Sequence, residues 1–97
     1  MVKITWTSFA VEDLRSVHDY IAKDSKVYAD RFIQKLISRV DQLENNPHSG
    51  RIVPEFNNDT LRELIEGNYR IIYRIINLNS VAIVRVHHSA RQMKDML

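Results

Sequence analysis

Residues 69–87, with the sequence YRIIYRIINLNSVAIVRVH, give the clearest indication of the fold. Two runs rich in β-branched and aromatic residues, Tyr69 to Ile76 and Val81 to His87, flank the turn-forming segment Asn77 to Ser80, so the pattern predicts a β-hairpin. Successive side chains of a strand point to opposite faces of the sheet. The alternation therefore predicts one apolar face, made of Tyr69, Ile71, Tyr73, Ile75, Ala82, Val84 and Val86.

The other face of this hairpin is predicted to be basic. Its members are Arg70, Arg74, Arg85 and His87. Because like charges on neighbouring strands repel each other, the cluster predicts an anionic partner, either phosphate-bearing or acidic. The alternative is that Arg70 pairs within the chain, with Glu63 or Glu66 on a neighbouring strand.

The first half of the chain supplies the cover for the apolar face. After a short predicted strand, Val2 to Trp6, Thr7 or Ser8 can cap a first helix, and Ser25 can cap a second. The second helix is predicted to end at Asn45-Asn46-Pro47. Each helix has one apolar stripe at spacings of three and four residues, which predicts an αα-hairpin. The stripes are Ala10, Leu14, Val17 and Ile21, then Ala29, Phe32, Ile33, Leu36, Ile37, Val40 and Leu43.

The remaining segments complete an α+β fold. Between the second helix and the hairpin, Ile52 to Pro54 is a short extended piece and Leu61 to Ile65 is a strand. Ser89 can cap a short final helix that runs to Leu97. We therefore expect a single domain over residues 1–97, with a short N-terminal strand, an αα-hairpin and a small antiparallel sheet in the order β-αα-βββ, followed by a short C-terminal helix.

Composition narrows the functional classes. The chain of 97 residues carries a net charge of +2 and contains no cysteine, so neither a disulfide framework nor a thiolate metal site is possible and the cytoplasm is the expected compartment. Its histidines lack the His-x-x-x-His spacing of a metal site, and no apolar run approaches the ~18 residues of a membrane span. We expect no metal, no other cofactor and no membrane association.

The order of short motifs along the chain resembles the RelE/ParE toxin superfamily. The motifs are Trp6-Thr7, Ala10, Asp13-Leu14, Pro47, Ser49-Gly50-Arg51, Val53-Pro54-Glu55, Leu61-Arg62-Glu63-Leu64, Tyr69-Arg70-Ile71-Ile72-Tyr73 and Val86-His87-His88-Ser89-Ala90-Arg91. The resemblance implies the toxin of a type II toxin–antitoxin module. Such a toxin forms a heteromeric complex with a small cognate antitoxin, whose acidic segment folds on binding.

Two activities occur in this superfamily. ParE-like toxins inhibit DNA gyrase and so block replication, whereas RelE-like toxins cut messenger RNA on the ribosome. The stretches Ser49 to Glu55, Arg62 to Leu64 and His87 to Arg91 are similar to those of ParE-like plasmid-stabilisation proteins, and residues 46–61 lack the lysine cluster of RelE. The resemblance therefore implies a gyrase inhibitor without catalytic residues of its own. A ribosome-dependent mRNA endonuclease is the first alternative, and an inactive toxin-fold binding module is the second.

The candidate site residues follow from these activities. In an endonuclease, Arg70 and Arg85 would hold the phosphate, His87 would act as acid or base, and Glu63 or Glu55 would serve as base. In a protein that binds an antitoxin or gyrase, the basic sheet face and the apolar C-terminal segment would make the contacts. Those contact residues are Arg62, Arg70, Arg74, Arg85, His87, Arg91, Met93, Met96 and Leu97.

Overall fold

The computed structural model describes residues 1–89, and within them the two predicted helices form an antiparallel hairpin. Helix α1 spans Ser8–Ala22 and helix α2 spans Lys26–Asp41. The predicted caps are confirmed, because the side chains of Thr7 and Ser25 each accept a hydrogen bond from a backbone N–H of the first turn. A 3₁₀ turn, Gln42–Glu44, extends α2 to the predicted end. The predicted stripes form the buried helix faces, except that Ile37 is 40% exposed.

The strands form one five-stranded sheet against the helical hairpin. They are β1 (Lys3–Trp6), β2 (Arg51–Ile52), β3 (Leu61–Glu66), β4 (Tyr69–Asn77) and β5 (Ser80–His88), in the spatial order β1-β5-β4-β3-β2. Strands β2 to β5 pair antiparallel, whereas β1 pairs parallel with β5. The β-αα-βββ fold is thus confirmed, but the sheet is mixed rather than purely antiparallel. Strand β5 can run parallel to β1 because a long connection, through both helices and then β2, β3 and β4, separates the two strands in the chain.

A β-bulge corrects the predicted faces of β5. Ile72 pairs with Arg85 and Tyr73 pairs with Ile83, so Val84 is an extra residue without a partner of its own in this register. The bulge shifts the alternation by one residue, and Val81 and Ile83 enter the core under the helices together with Val86. The prediction that Ala82 and Val84 belong to that core face is therefore wrong.

The face of the sheet that points away from the helices is also partly covered. Val84 packs there against a second small cluster of buried residues, Val53, Leu61 and Ile72. The segment 53–60 crosses this face between β2 and β3 and is joined to the sheet by the hydrogen bond from the Val53 N–H to the Leu61 carbonyl. We call this segment the crossing loop.

Gly50 and Tyr73 fix the loop that precedes β2. The Tyr73 side chain is fully buried, and its hydroxyl donates to the Pro47 carbonyl at 2.7 Å and accepts from the Gly50 N–H at 2.9 Å. Burial raises the pKa of the Tyr73 hydroxyl, which therefore remains protonated. No helix within residues 1–89 is long and apolar enough to cross a membrane. The predicted helix from Ser89 to Leu97 lies outside the described residues, apart from Ser89 itself.

Candidate functional site

The centre of the candidate site is Arg70, whose guanidinium is held by two carboxylates. In the sheet, Arg70 lies opposite Ile65 on one side and His87 on the other. Its Nε donates to Glu63 at 2.5 Å, and its two terminal nitrogens donate to the two oxygens of Glu55 at 2.7 and 2.8 Å. The side chain is only 8% exposed, so this charge is compensated inside the protein rather than by solvent.

Glu63 is the buried member of the same arrangement. Its side chain is fully buried, and its second oxygen accepts a hydrogen bond from Arg51, which is 61% exposed. A buried carboxylate is tolerated only when hydrogen bonds from opposite charges replace its hydration, and here two guanidinium groups do so. We refer to Arg51, Glu55, Glu63 and Arg70 as the ion-pair network.

Glu55 is the outer member of the network and comes from the crossing loop. Its side chain is 38% exposed. The hydrogen bonds from Arg70 lower the pKa of the Glu55 carboxyl to about 2, and a positive charge on His87 acts in the same direction. Glu55 is therefore ionised at neutral pH, and so low a pKa makes it a weak proton acceptor.

His87 lies beside this network, across the β4–β5 pair from Arg70. It is 2% exposed, and its Nδ1 donates to the His88 carbonyl at 3.0 Å. The structure thus brings together the predicted site residues Arg70 and His87 with both predicted bases, Glu55 and Glu63. What the arrangement offers chemically is a fixed cation with two carboxylates already bound to it.

Arg85 is occupied elsewhere. Its Nε and one terminal nitrogen donate to the Asp13 carboxylate of α1 at 2.8 and 3.1 Å, and its guanidinium lies 5.6 Å from the centre of the Phe9 ring. The Asp13 Oδ2 atom, which accepts from the Arg85 Nε, also accepts a hydrogen bond from the Val86 N–H at 2.8 Å. The hydrogen bonds to Asp13 raise the pKa of Arg85 above its ordinary value.

The other predicted contact residues differ in their surroundings. Arg62 is half-buried and donates to three backbone carbonyls, those of His48, Gly50 and Asp59, so it holds two loops together. Arg74 is exposed on the same face as Arg70, opposite Leu61. Four further predicted residues lie outside the described part of the chain; they are Arg91, Met93, Met96 and Leu97.

Arg70 and Arg85 do not form the predicted unpaired cluster, because each guanidinium is bonded to carboxylates of the chain itself, and binding of an external anion stays a prediction. The alternative, pairing of Arg70 with Glu63, is confirmed, whereas Glu66 instead pairs with Lys35 and Arg39 of α2. Sequence reasoning missed Asp13 and Arg51 as partners. Their positions in two of the quoted motifs were the available signal. Within residues 1–89, no group of three or more potential ligands is placed to hold a metal ion.

A groove of about 520 Å³ lies between α1 and the ends of β4 and β5, and His87 is among the residues that line it. Part of its wall is aromatic, since Tyr20 and Tyr69 line it together with His88. The ring of Tyr69 lies 5.4 Å from that of His88, and Tyr20 of α1 is 66% exposed. An exposed aromatic wall is typical of a surface that binds a protein partner.

Comparison with known proteins identifies the family. Residues 4–93 match the family described as ParE toxin of type II toxin–antitoxin system, parDE. Toxin RelE2 of Caulobacter vibrioides is 34% identical over 91 residues, which is 94% of this chain and 99% of that protein.

Solved structures share the fold. The chromosomal ParDE system of P. aeruginosa superimposes with a TM-score of 0.75 at 22% identity, over 91% of this chain and 96% of that one. The toxin–antitoxin complex RelBE2 of Mycobacterium tuberculosis gives 0.67 at 21% identity, over 90% and 96%. With the family match over most of its length, the chain belongs to the ParE toxin family of type II toxin–antitoxin systems, within the RelE/ParE superfamily.

Proposed function

We propose that this toxin inhibits DNA gyrase by protein–protein contact, blocks replication in that way, and carries out no catalysis of its own. The observation that carries the proposal is that the guanidinium of Arg70 is already bonded within the protein. An endonuclease of this fold would need that cation for the phosphate in its transition state, yet both edges of the guanidinium are bonded to carboxylates of the chain itself.

The carboxylates of the network also lack the properties of a general base. Glu63 is fully buried between two guanidinium groups. Glu55 has a pKa of about 2, far below the near-neutral value that best removes a proton from a hydroxyl. Since Arg85 is bonded to Asp13, the two arginines expected to hold a phosphate are both engaged within the protein.

The proposed partner in the resting state is a cognate antitoxin. Two of the similar solved structures are described as toxin–antitoxin complexes or systems. The aromatic groove beside α1 gives an apolar segment of such a partner a surface to bind, and its acidic residues would face the exposed cations of a chain whose net charge is +2. The proposed site of action is the cytoplasm, where gyrase works.

A ribosome-dependent mRNA endonuclease is the second candidate. It is favoured by the close placement of Glu55, Arg70 and His87, and by the name of the relative Toxin RelE2. In this case the ion-pair network would have to open on the ribosome, so that Arg70 binds the phosphate and His87 transfers a proton.

One paired assay separates the two candidates. Purified toxin and the variant His87→Gln are added to a gyrase supercoiling reaction and to a translating extract, and both proteins are first compared by circular dichroism. We expect both to inhibit supercoiling, because contact with gyrase does not require an imidazole that titrates. We also expect intact transcripts in the extract.

Three results would contradict the proposal. Supercoiling that persists at high toxin excess excludes gyrase as the target. Codon-linked transcript cleavage that His87→Gln abolishes supports the endonuclease instead. A protein that leaves both reactions unchanged would be an inactive binding module.

A further inference from the structure

We propose that the outer edge of Arg70 is a carboxylate-binding site, which Glu55 fills in the free toxin and which an acidic side chain of a protein partner fills after the crossing loop lifts. The two carboxylates on Arg70 are not equivalent. Glu63 is fully buried in the middle of β3 and is held by Arg51 as well, whereas Glu55 is 38% exposed and comes from a loop. Glu55 is therefore the ligand that can leave.

The crossing loop is attached at its ends and exposed in between. The Val53 N–H donates to the Leu61 carbonyl, and the Leu61 N–H donates to Asn58. Between these points, residues 54–58 are all exposed, and Asn57 adopts a left-handed backbone conformation with φ of 47°. The bidentate contact between Glu55 and Arg70 thus ties an otherwise exposed segment to the sheet.

The site that Glu55 would vacate keeps its shape. The Arg70 Nε stays bonded to Glu63, whose charge is shared with Arg51, so the guanidinium remains oriented with its two terminal nitrogens outward. Two guanidinium groups and one carboxylate leave one positive charge, which matches one incoming carboxylate. A guanidinium edge held in this way binds a carboxylate through two parallel hydrogen bonds.

The surroundings favour a peptide carboxylate. The occupant present is itself a glutamate, carried by the turn at residues 54–56. The exposed side chain of Ile65, at 41%, stays in place on β3 when the loop lifts and would contact an apolar residue that flanks the incoming acid. Ile65 is the direct neighbour of Arg70 on β3, so charge and apolar contact lie side by side. The chemistry recognised is an acidic side chain in an apolar peptide context.

The test follows the side-chain Nε–H resonance of Arg70 by NMR, assigned with Arg70→Lys, while tetraglutamate is added to the purified toxin. Glu55→Gln removes the internal competitor, so we expect tetraglutamate to bind this variant about tenfold more tightly than the wild-type protein. The matched control is Glu12→Gln, which makes the same charge change on an exposed residue of α1. Its affinity should equal that of the wild-type protein.

Three outcomes would overturn the inference. These are an unchanged affinity in Glu55→Gln, an equal gain in Glu12→Gln, and tighter binding of hexa-adenylate RNA than of tetraglutamate at the same ionic strength. If Glu55→Gln does not fold, the test is made on the wild-type protein. Saturating tetraglutamate should then shift the backbone amide resonances of Phe56 and Asn57, and unchanged resonances would overturn the inference. Gyrase is absent from the experiment, so its result is independent of the proposed target.

Discussion

Gly50 occupies a position where the fold has no space for a side chain. A Cβ atom there would lie 2.6 Å from the Glu63 carbonyl oxygen, 2.6 Å from the Tyr73 hydroxyl and 2.7 Å from a Tyr73 ring carbon. Neither a strand carbonyl nor a fully buried ring can move aside without disturbing the sheet. The close approach also lets the Gly50 N–H reach the Tyr73 hydroxyl.

We expect Gly50→Ala to lower the free energy of unfolding by about 2 kcal/mol, measured by urea denaturation, because the added methyl overpacks this contact. Ser49→Ala is the matched control on the neighbouring exposed residue and should change stability by less than ~0.5 kcal/mol. Equal stability of the two variants would show that the loop can move away from Tyr73.

At the same scale, only part of the candidate site could be predicted from the sequence. Alternation along neighbouring strands brings Arg70 and Glu63 to one face, so their pairing followed from local pattern. Glu55 and Asp13 could not be assigned in the same way, because one comes from a loop without periodicity and the other from a helix far away in sequence. Their roles depend on tertiary packing, which alternation does not encode.

At the scale of elements, α1 closes the part of β5 that β1 is too short to cover. Strand β1 pairs with Ser80 to Ile83 of β5. Beyond Ile83, the side chains of Thr7 and Asp13 form the hydrogen bonds to the edge of β5. The Thr7 hydroxyl donates to the Val84 carbonyl and the Asp13 carboxylate accepts the Val86 N–H, so side chains satisfy an exposed strand edge. Asp13 also holds Arg85, and it thereby joins helix, strand and cation.

We expect Asp13→Ala to destabilise the protein by about 2 kcal/mol, because the Val86 N–H and the Arg85 guanidinium both lose this acceptor. Amide hydrogen exchange at Val86 should become faster than in the wild-type protein, whereas the amide of Ile71 in β4 should change only with global stability. The neighbouring substitution Glu12→Ala removes an exposed carboxylate from the same helix and should leave Val86 unaffected. Unchanged exchange at Val86 in Asp13→Ala would contradict the role given to Asp13.

The elements themselves were largely predictable, since caps, apolar stripes and β-rich runs are local signals. The faces of β5 were not. A bulge at Val84 adds one residue on that strand alone, and no Gly or Pro marks it in the sequence VAIVRVH. The bulge lets Ile83 and Val86 pack into the same core, on the same side of the sheet, although they are three positions apart in the sequence.

At the scale of the whole molecule, the acid limb of the stability profile should depend on Glu55. Arg70 lowers the pKa of this carboxyl from 4.5 to about 2, so its ionised form favours the folded state above pH 4.5 and the contribution is lost as the pH falls towards 2. Since the side chain is 38% exposed, solvent limits the contribution to about 1 kcal/mol.

We therefore expect Glu55→Gln to be less stable than the wild-type protein by about 1 kcal/mol at pH 7, and the difference to vanish near pH 2. Urea denaturation at stepped pH measures this. Glu12→Gln should track the wild-type protein at every pH, because its carboxylate is exposed on α1. A difference for Glu55→Gln that does not vary with pH would mean that shape rather than charge makes the contribution.

The parallel pairing of β1 with β5 also determines at which stage of synthesis the sheet can finish folding. The hydrogen bond from Thr7 to Val84 closes a span of 77 residues, and Lys3 finds its partner only at Ser80. During synthesis, β1 cannot pair until β5 has also been made. Pairing between strands so distant in sequence is slow to form. The unfinished chain therefore passes through an interval in which α1 and α2 have been made but lack the full sheet that covers their apolar faces.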